Sequence, residues 1–241
     1  MRRIVRFIPD FITSLNLLCG VAGIVFAFRG RFDIAFPLML AAAVFDFMDG
    51  LAARLLDAYS PLGKELDSLS DVVSFGVLPA VMLHCLMRAC TFSDSWIVWV
   101  PLVLAVFSGL RLAKFNLDER QKDSFLGLPT PACAMLCGAF CYYVAFTPGS
   151  VLAAWAGGLV FVPVMSVLLS ALLVCEIPMF SFKFGCGKAD GTVRWKRLAL
   201  LLLVALSVLA VVLLRLNWSA VVLLTLTLYI LKNIVYWVFK V

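Results

Sequence analysis

Four aspartates stand where an apolar chain would be expected to avoid them. Asp46 and Asp49 are three residues apart, and Asp67 and Asp71 are four apart, so each pair shares one face of a helix. An aspartate in the middle of a membrane helix costs about 2.5–3.5 kcal/mol on insertion scales, and four near one membrane face repel one another unless cations are present. Pairing with lysine or arginine would be the structural explanation, but too few basic residues lie at the same depth. A donor set of hard oxygens, with no histidine or cysteine, selects magnesium, manganese or calcium over zinc or copper. Two divalent ions would balance four carboxylates, and such a site clamps the attacking and leaving oxygens of a phosphoryl displacement. Small residues accompany the aspartates: Gly50, Ala53 and Gly63. They let helices or a flat ligand approach closely. Arg54 follows Asp46 by two turns, near enough to help cradle a phosphate.

Helices inside a lipid bilayer must hold these residues. The 241-residue chain is 64% hydrophobic and 14% charged, against roughly 45–50% and 25% in soluble domains. In water it would expose large apolar patches, so lipid is the expected solvent of its outer surface. A spanning helix needs about 20 apolar residues. Runs of that kind predict eight spans in one catalytic domain, an all-α polytopic bundle, at about 11–28, 34–56, 67–88, 96–115, 129–147, 151–174, 198–214 and 219–238. The short polar link between spans two and three makes them antiparallel neighbours, so the two aspartate pairs can face each other. Pro148-Gly149 predicts a tight hairpin between spans five and six.

Charge sets the orientation. If the Arg2, Arg3 and Arg6 cap is inside, sixteen of the twenty Lys and Arg fall on one side and four on the other. By the positive-inside rule both termini and the loops at 57–66, 116–128 and 175–197 are expected in the cytoplasm. The net charge of +6 is dispersed among loops, which suits anionic head groups and phosphate ligands rather than nucleic acid. Of eight cysteines, six lie in apolar runs, and Cys133, Cys137 and Cys141 form a stripe at helical spacing; no CxxC pair occurs. They read as packing residues. His84, near the end of an apolar run, is expected at the membrane interface rather than on a metal.

The set Asp46, Asp49, Gly50, Ala53, Arg54, Gly63, Asp67 and Asp71 resembles, at all eight positions and every spacing, the signature of the CDP-alcohol phosphotransferases. That resemblance implies a helical membrane fold binding a CDP group at the cytoplasmic face. It implies metal on the first three aspartates, with Asp71 also the base that deprotonates the acceptor alcohol. Gly50, Ala53 and Gly63 would border the cytidine, and Arg54 would sit beside the diphosphate. The flanks Thr13–Gly20, Ser70–Ala80, Arg111–Asn116 and Phe125–Pro131 resemble the bacterial and archaeal branch that uses L-serine. That resemblance covers about 10–135. It implies CDP-diacylglycerol as donor, CMP as product, and a place in the cytoplasmic membrane among its lipids; a homodimer is left open.

Serine carries a carboxylate, and Arg111 offers a planar fork for it, with Lys114 one turn later; both can equally be anchors at a helix end. Thr13 and Asn16 share a helix face and can donate either to phosphate or ribose oxygens or to a neighbouring helix. A sibling enzyme acting on glycerol-3-phosphate or an inositol phosphate stays open, since Arg120 and Lys122 could meet an acceptor phosphate. A divalent-metal transporter is a third reading. Transporters often show paired broken helices in two repeats, and this chain has one acidic cluster without a second copy.

Overall fold

The computed structural model describes residues 2–91, 95–117, 125–179 and 203–239. Its first helix, α1 (Arg2–Phe28), ends where Gly30 takes a left-handed φ of 70° and donates its N–H to Ala27 O at 2.9 Å. A glycine closes a helix in that conformation without a Cβ clash. Helix α2 (Phe32–Leu55) returns beside it. Ser60 then caps α3 (Pro61–Asp71): its hydroxyl accepts from the Gly63 N–H at 2.8 Å, with Pro61 at the first helical position. Both are standard devices for starting a helix.

The chain does not stop at Asp71. A π-helical segment, Val72–Val77, leads directly into α4 (Leu78–Thr91), so Pro61–Thr91 forms one continuous apolar element. Helix α4 is the centre of the bundle, with Leu78, Met82, Leu83, Leu86 and Met87 buried. A 3-10 turn, Trp96–Leu102, opens α5 (Val103–Leu117). After it come α6 (Thr130–Phe146), α7 (Val151–Ala156), α8 (Phe161–Val174), α9 (Leu203–Leu213) and α10 (Ser219–Phe239). Among the described residues, the departure from helix is a two-residue antiparallel ladder, Phe125–Leu126 with Pro178–Met179.

The architecture is an all-α polytopic bundle, as its composition predicts. Among the described residues, five elements are long and apolar enough to cross a bilayer, and α6, α8 and α9 are shorter apolar helices. At 1.5 Å per residue, α10 is about 31 Å long, against a hydrocarbon core of about 30 Å. Large apolar side chains face outward along α1 at Leu18, Val21, Val25 and Phe28, the spacing of one helix face. Lipid, not water, can solvate that face.

Three expectations need correction. The predicted span 151–174 is broken at 157–160 into α7 and α8; Gly157-Gly158 weakens the helix there and Pro163 limits its N-terminal extension. Spans five and six are not a packed hairpin: α6 packs mainly on α10, α2 and α4, while α8 packs mainly on α5. Gly138 explains the α6–α2 approach, because a Cβ there would lie 2.6 Å from Phe36 Cδ2. His84 is not an exposed side chain at the bundle surface. It is buried, and its Nδ1 lies 2.7 Å from the Val98 carbonyl, to which it donates as the Nδ1–H tautomer. The cysteine stripe is buried as expected, with all three thiols free.

Candidate active site

Each pair of aspartates emerges from its own helix, Asp46 and Asp49 from α2, Asp67 and Asp71 from α3. Helix α1 lies against both. Thr13 Oγ1 donates to Asp49 Oδ2 at 2.7 Å, and Asn16 Nδ2 donates to Asp71 Oδ1 at 3.4 Å. Ser70 and Ser74 donate back to the Thr13 and Asn16 carbonyls at 3.4 and 3.1 Å. Thr13 and Asn16 are buried, so the face they share on α1 serves to aim carboxylates from the next two helices.

Asp46, Asp49 and Asp67 each present one carboxylate oxygen within 4.8 Å of the others. Asp71, one turn beyond Asp67, lies outside that triad. The oxygen-only donor set fits a hard divalent cation. A second observation supports the fit: Asp67 Oδ1 is buried with no hydrogen-bond partner among the described residues. A buried acceptor left alone is costly, and a cation would satisfy it.

A cavity of about 600 Å³ opens beside the triad, the size of ordinary small-ligand sites. Asp49, Gly50, Ala53, Gly63, Asp67 and Thr13 line it, together with Asp10, Tyr59, Ser60 and Lys64, which sequence reasoning missed. Gly50 and Gly63 serve different ends. A Cβ on Gly50 would meet no atom within 4 Å, so its missing side chain leaves ligand space. A Cβ on Gly63 would sit 2.7 Å from Asp10 Oδ1 and 2.9 Å from Ser60 Oγ, so this glycine first accommodates the protein's own side chains. Arg54 is exposed and is not among the lining residues.

On the other side of Asp71 stands Arg111 of α5. It is 7% exposed, close enough to Asp71 to interact with its charge, and Nη1 donates to Thr130 Oγ1 at 2.8 Å. Its Nε is buried and has no partner among the described residues. Lys114 instead forms an ion pair with Glu176 at 3.3 Å, near the surface. Asn116 donates to Ser68 at 2.9 Å. These bonds and the short ladder bring the ends of α3, α5 and α8 together at one end of the bundle. Arg120 and Lys122 lie outside the described residues.

The arrangement can therefore hold a cation beside a cavity of small-ligand size, with the Asp71 carboxylate next to the acidic cluster and the buried Arg111 guanidinium next to Asp71. Comparison with known proteins gives the family. Residues 6–167 match the model of the CDP-alcohol phosphatidyltransferase family. The CDP-diacylglycerol–serine O-phosphatidyltransferase of Mycobacterium leprae is 36% identical over 183 residues, 72% of this chain and 58% of that protein. Proteins of the same name from Bacillus subtilis and Methanocaldococcus jannaschii are 33% and 34% identical over 131 and 158 residues. Those matches cover 54% and 65% of this chain, and 72% and 71% of the relatives. The chain thus spans about three fifths of the length of the mycobacterial relatives it matches, 58% and 61% for two of them.

Proposed function

The chain belongs to the CDP-alcohol phosphatidyltransferase family, and on that premise we propose that it transfers the phosphatidyl group of CDP-diacylglycerol to L-serine and releases CMP. The observation that carries this reading is the convergence of the Asp46, Asp49 and Asp67 oxygens beside the 600 Å³ cavity, whose wall includes Asp49 and Asp67. The names of the relatives supply serine as the acceptor. The catalytic unit is one domain over residues 1–241, with the site and both termini on the cytoplasmic side.

Asp46, Asp49 and Asp67 would hold divalent metal, magnesium or manganese and two ions in all, with Asp71 completing the ligand set. Bound metal would neutralise the carboxylates and stabilise charge on the departing CMP phosphate. The side chains do the rest. Gly50 and Ala53 leave room for the nucleotide. Arg54, exposed beyond Ala53 on α2, would sit beside the diphosphate. Thr13 and Asn16 hold Asp49 and Asp71 in place. Arg111, fixed by Thr130, has its Nε free for the serine carboxylate. Asp71 accepts the proton of the serine hydroxyl as its oxygen attacks the diacylglycerol-bearing phosphorus. The new P–O bond forms as the bond to the CMP oxygen breaks. Lys114, already paired with Glu176, is the lesser candidate for acceptor binding.

Purified protein assayed with CDP-diacylglycerol and a panel of labelled alcohols tests the proposal. L-serine should be the acceptor, activity should vanish with excess chelator, and magnesium or manganese should restore it. Turnover with glycerol-3-phosphate or an inositol phosphate but not serine would move the chain to a sibling activity. Full activity in chelator would remove metal from the scheme. Labelling of cysteines engineered at 120 and 149 should report opposite membrane faces, with 120 cytoplasmic; labelling from one face would overturn the orientation.

A further inference from the structure

Resting on the reading of the cavity as a CDP site, we propose that Asp10 selects the nucleoside by accepting hydrogen bonds from its ribose hydroxyls. Asp10 lines the cavity with Gly50, Ala53 and Gly63. Its Oδ1 lies over Gly63, 2.7 Å from where a Cβ would stand. The carboxylate is partly buried, and no hydrogen bond or ion pair engages it among the described residues. An ionised carboxylate only accepts, and a diphosphate offers it nothing but negative oxygens. In the occupied cavity Asp10 therefore suits a part of the ligand that turns donors toward it, not the diphosphate.

The level of Asp10 on α1 indicates which donors. Thr13, bonded to Asp49, marks the depth of the aspartate triad. Asp10 stands three residues earlier, about 4.5 Å along the axis, toward the Tyr59–Gly63 rim of the cavity. With the diphosphate at the triad, the next unit of the ligand toward that rim is the sugar. The cytosine amino group, the other donor, lies farther out. A carboxylate on vicinal ribose hydroxyls is a chemistry that nucleotide sites use elsewhere. Gly63 then has a second reason to be glycine, since a methyl there would push the carboxylate off its place.

The test is calorimetric binding of CDP, 2′,3′-dideoxy-CDP and UDP to the full-length protein, wild type, Asp10→Ala and Asp10→Asn, with magnesium present. Wild type should prefer CDP over the dideoxy nucleotide by about 10- to 100-fold, the range for bonds to a charged acceptor. Asp10→Ala should bring that ratio close to one while leaving the CDP-to-UDP ratio unchanged. The shape-matched Asp10→Asn should also lower the sugar ratio, and it supplies the answer if Asp10→Ala does not fold. A dideoxy ratio that survives both substitutions overturns the proposal. So does a change confined to the UDP ratio, which would put Asp10 on the base. Failure of wild type to bind CDP would instead refute the CDP site itself. Binding of CDP without transfer to serine would refute the acceptor assignment and leave Asp10 standing.

Discussion

Buried polar side chains behave differently in the two halves of the bundle. Among α1 to α5 they reach from helix to helix: Thr13 to Asp49, Asn16 to Asp71, Ser74 to the Asn16 carbonyl. Arg111 reaches α6 at Thr130. In α8 they turn inward, Ser166 to the Val162 carbonyl at 2.8 Å and Ser170 to the Ser166 carbonyl at 2.7 Å. A serine bonded to its own preceding turn is satisfied and makes no demand on its neighbours. The first pattern fixes relative positions and leaves some atoms unpaired, Asp67 Oδ1 and Arg111 Nε among them. The second fills space. In a membrane, where unpaired polar atoms are costly, the unpaired charged groups Asp67 and Arg111 mark a place for a ligand; among the described residues of the second half, α10 leaves unpaired the neutral hydroxyls of Ser219 and Thr225.

That contrast can be broken by substitution. The largest effect is expected at Asp71. Asp71→Asn keeps the shape but removes the base, so kcat should fall by about 10²–10⁴-fold while CDP-diacylglycerol still binds. Asp46→Asn and Asp67→Asn should instead weaken binding of the CDP-lipid, as calorimetry beside turnover would show. Near-normal turnover of Asp71→Asn would assign the base elsewhere. Next comes Arg111→Ala, expected to raise the serine KM by about 10- to 100-fold with little change in the KM for CDP-diacylglycerol. An unchanged serine KM would reduce Arg111 to an anchor and turn attention to Lys114.

A smaller effect is expected at Gly50. Because a Cβ there meets no atom within 4 Å beyond the backbone of its own helical turns, Gly50→Ala should leave Tm unchanged or raise it slightly. The KM for CDP-diacylglycerol should rise several-fold as the methyl enters the cavity. A fall in Tm without a KM change would make Gly50 a packing glycine. Smallest of all is Leu168→Ala on the lipid-facing side of α8, where the side chain is 60% exposed. Activity should stay within about 2-fold. A large loss there would dissolve the distinction between the two halves.

Much of the first pattern is readable before folding. Carboxylates three and four residues apart on adjacent apolar stretches can face each other, and the structure assembles three of them into one cluster. The eight apolar runs each contain helix among the described residues, the sixth split into α7 and α8. What escaped depends on distances the spacing does not carry. A first span expected to start at residue 11 puts Asp10 just outside it, and no periodicity links Asp10 to Gly63, 53 residues on. Thr130 sits between two prolines and reads as the start of a helix; that its hydroxyl meets Arg111 is a fact of tertiary packing. The break between α7 and α8 did leave a signal in Gly157-Gly158 and Pro163, outweighed by the apolar character of the whole stretch.

The π-helical segment at Val72–Val77 constrains chain length more than composition. It carries an extra residue relative to an α-helical path, and each residue turns a helix by about 100°. The face holding Asp67 and Asp71 is therefore rotated by about that angle from where an unbroken α-helix would set it relative to Leu78 and Met82. Substitution of one apolar residue for another in this stretch leaves the rotation intact. Deleting a single residue would let it relax to α-helix and swing either the carboxylates away from α1 and α2 or the core face of α4 away from its neighbours. Over generations, this short run should accept changes of letter and reject changes of length.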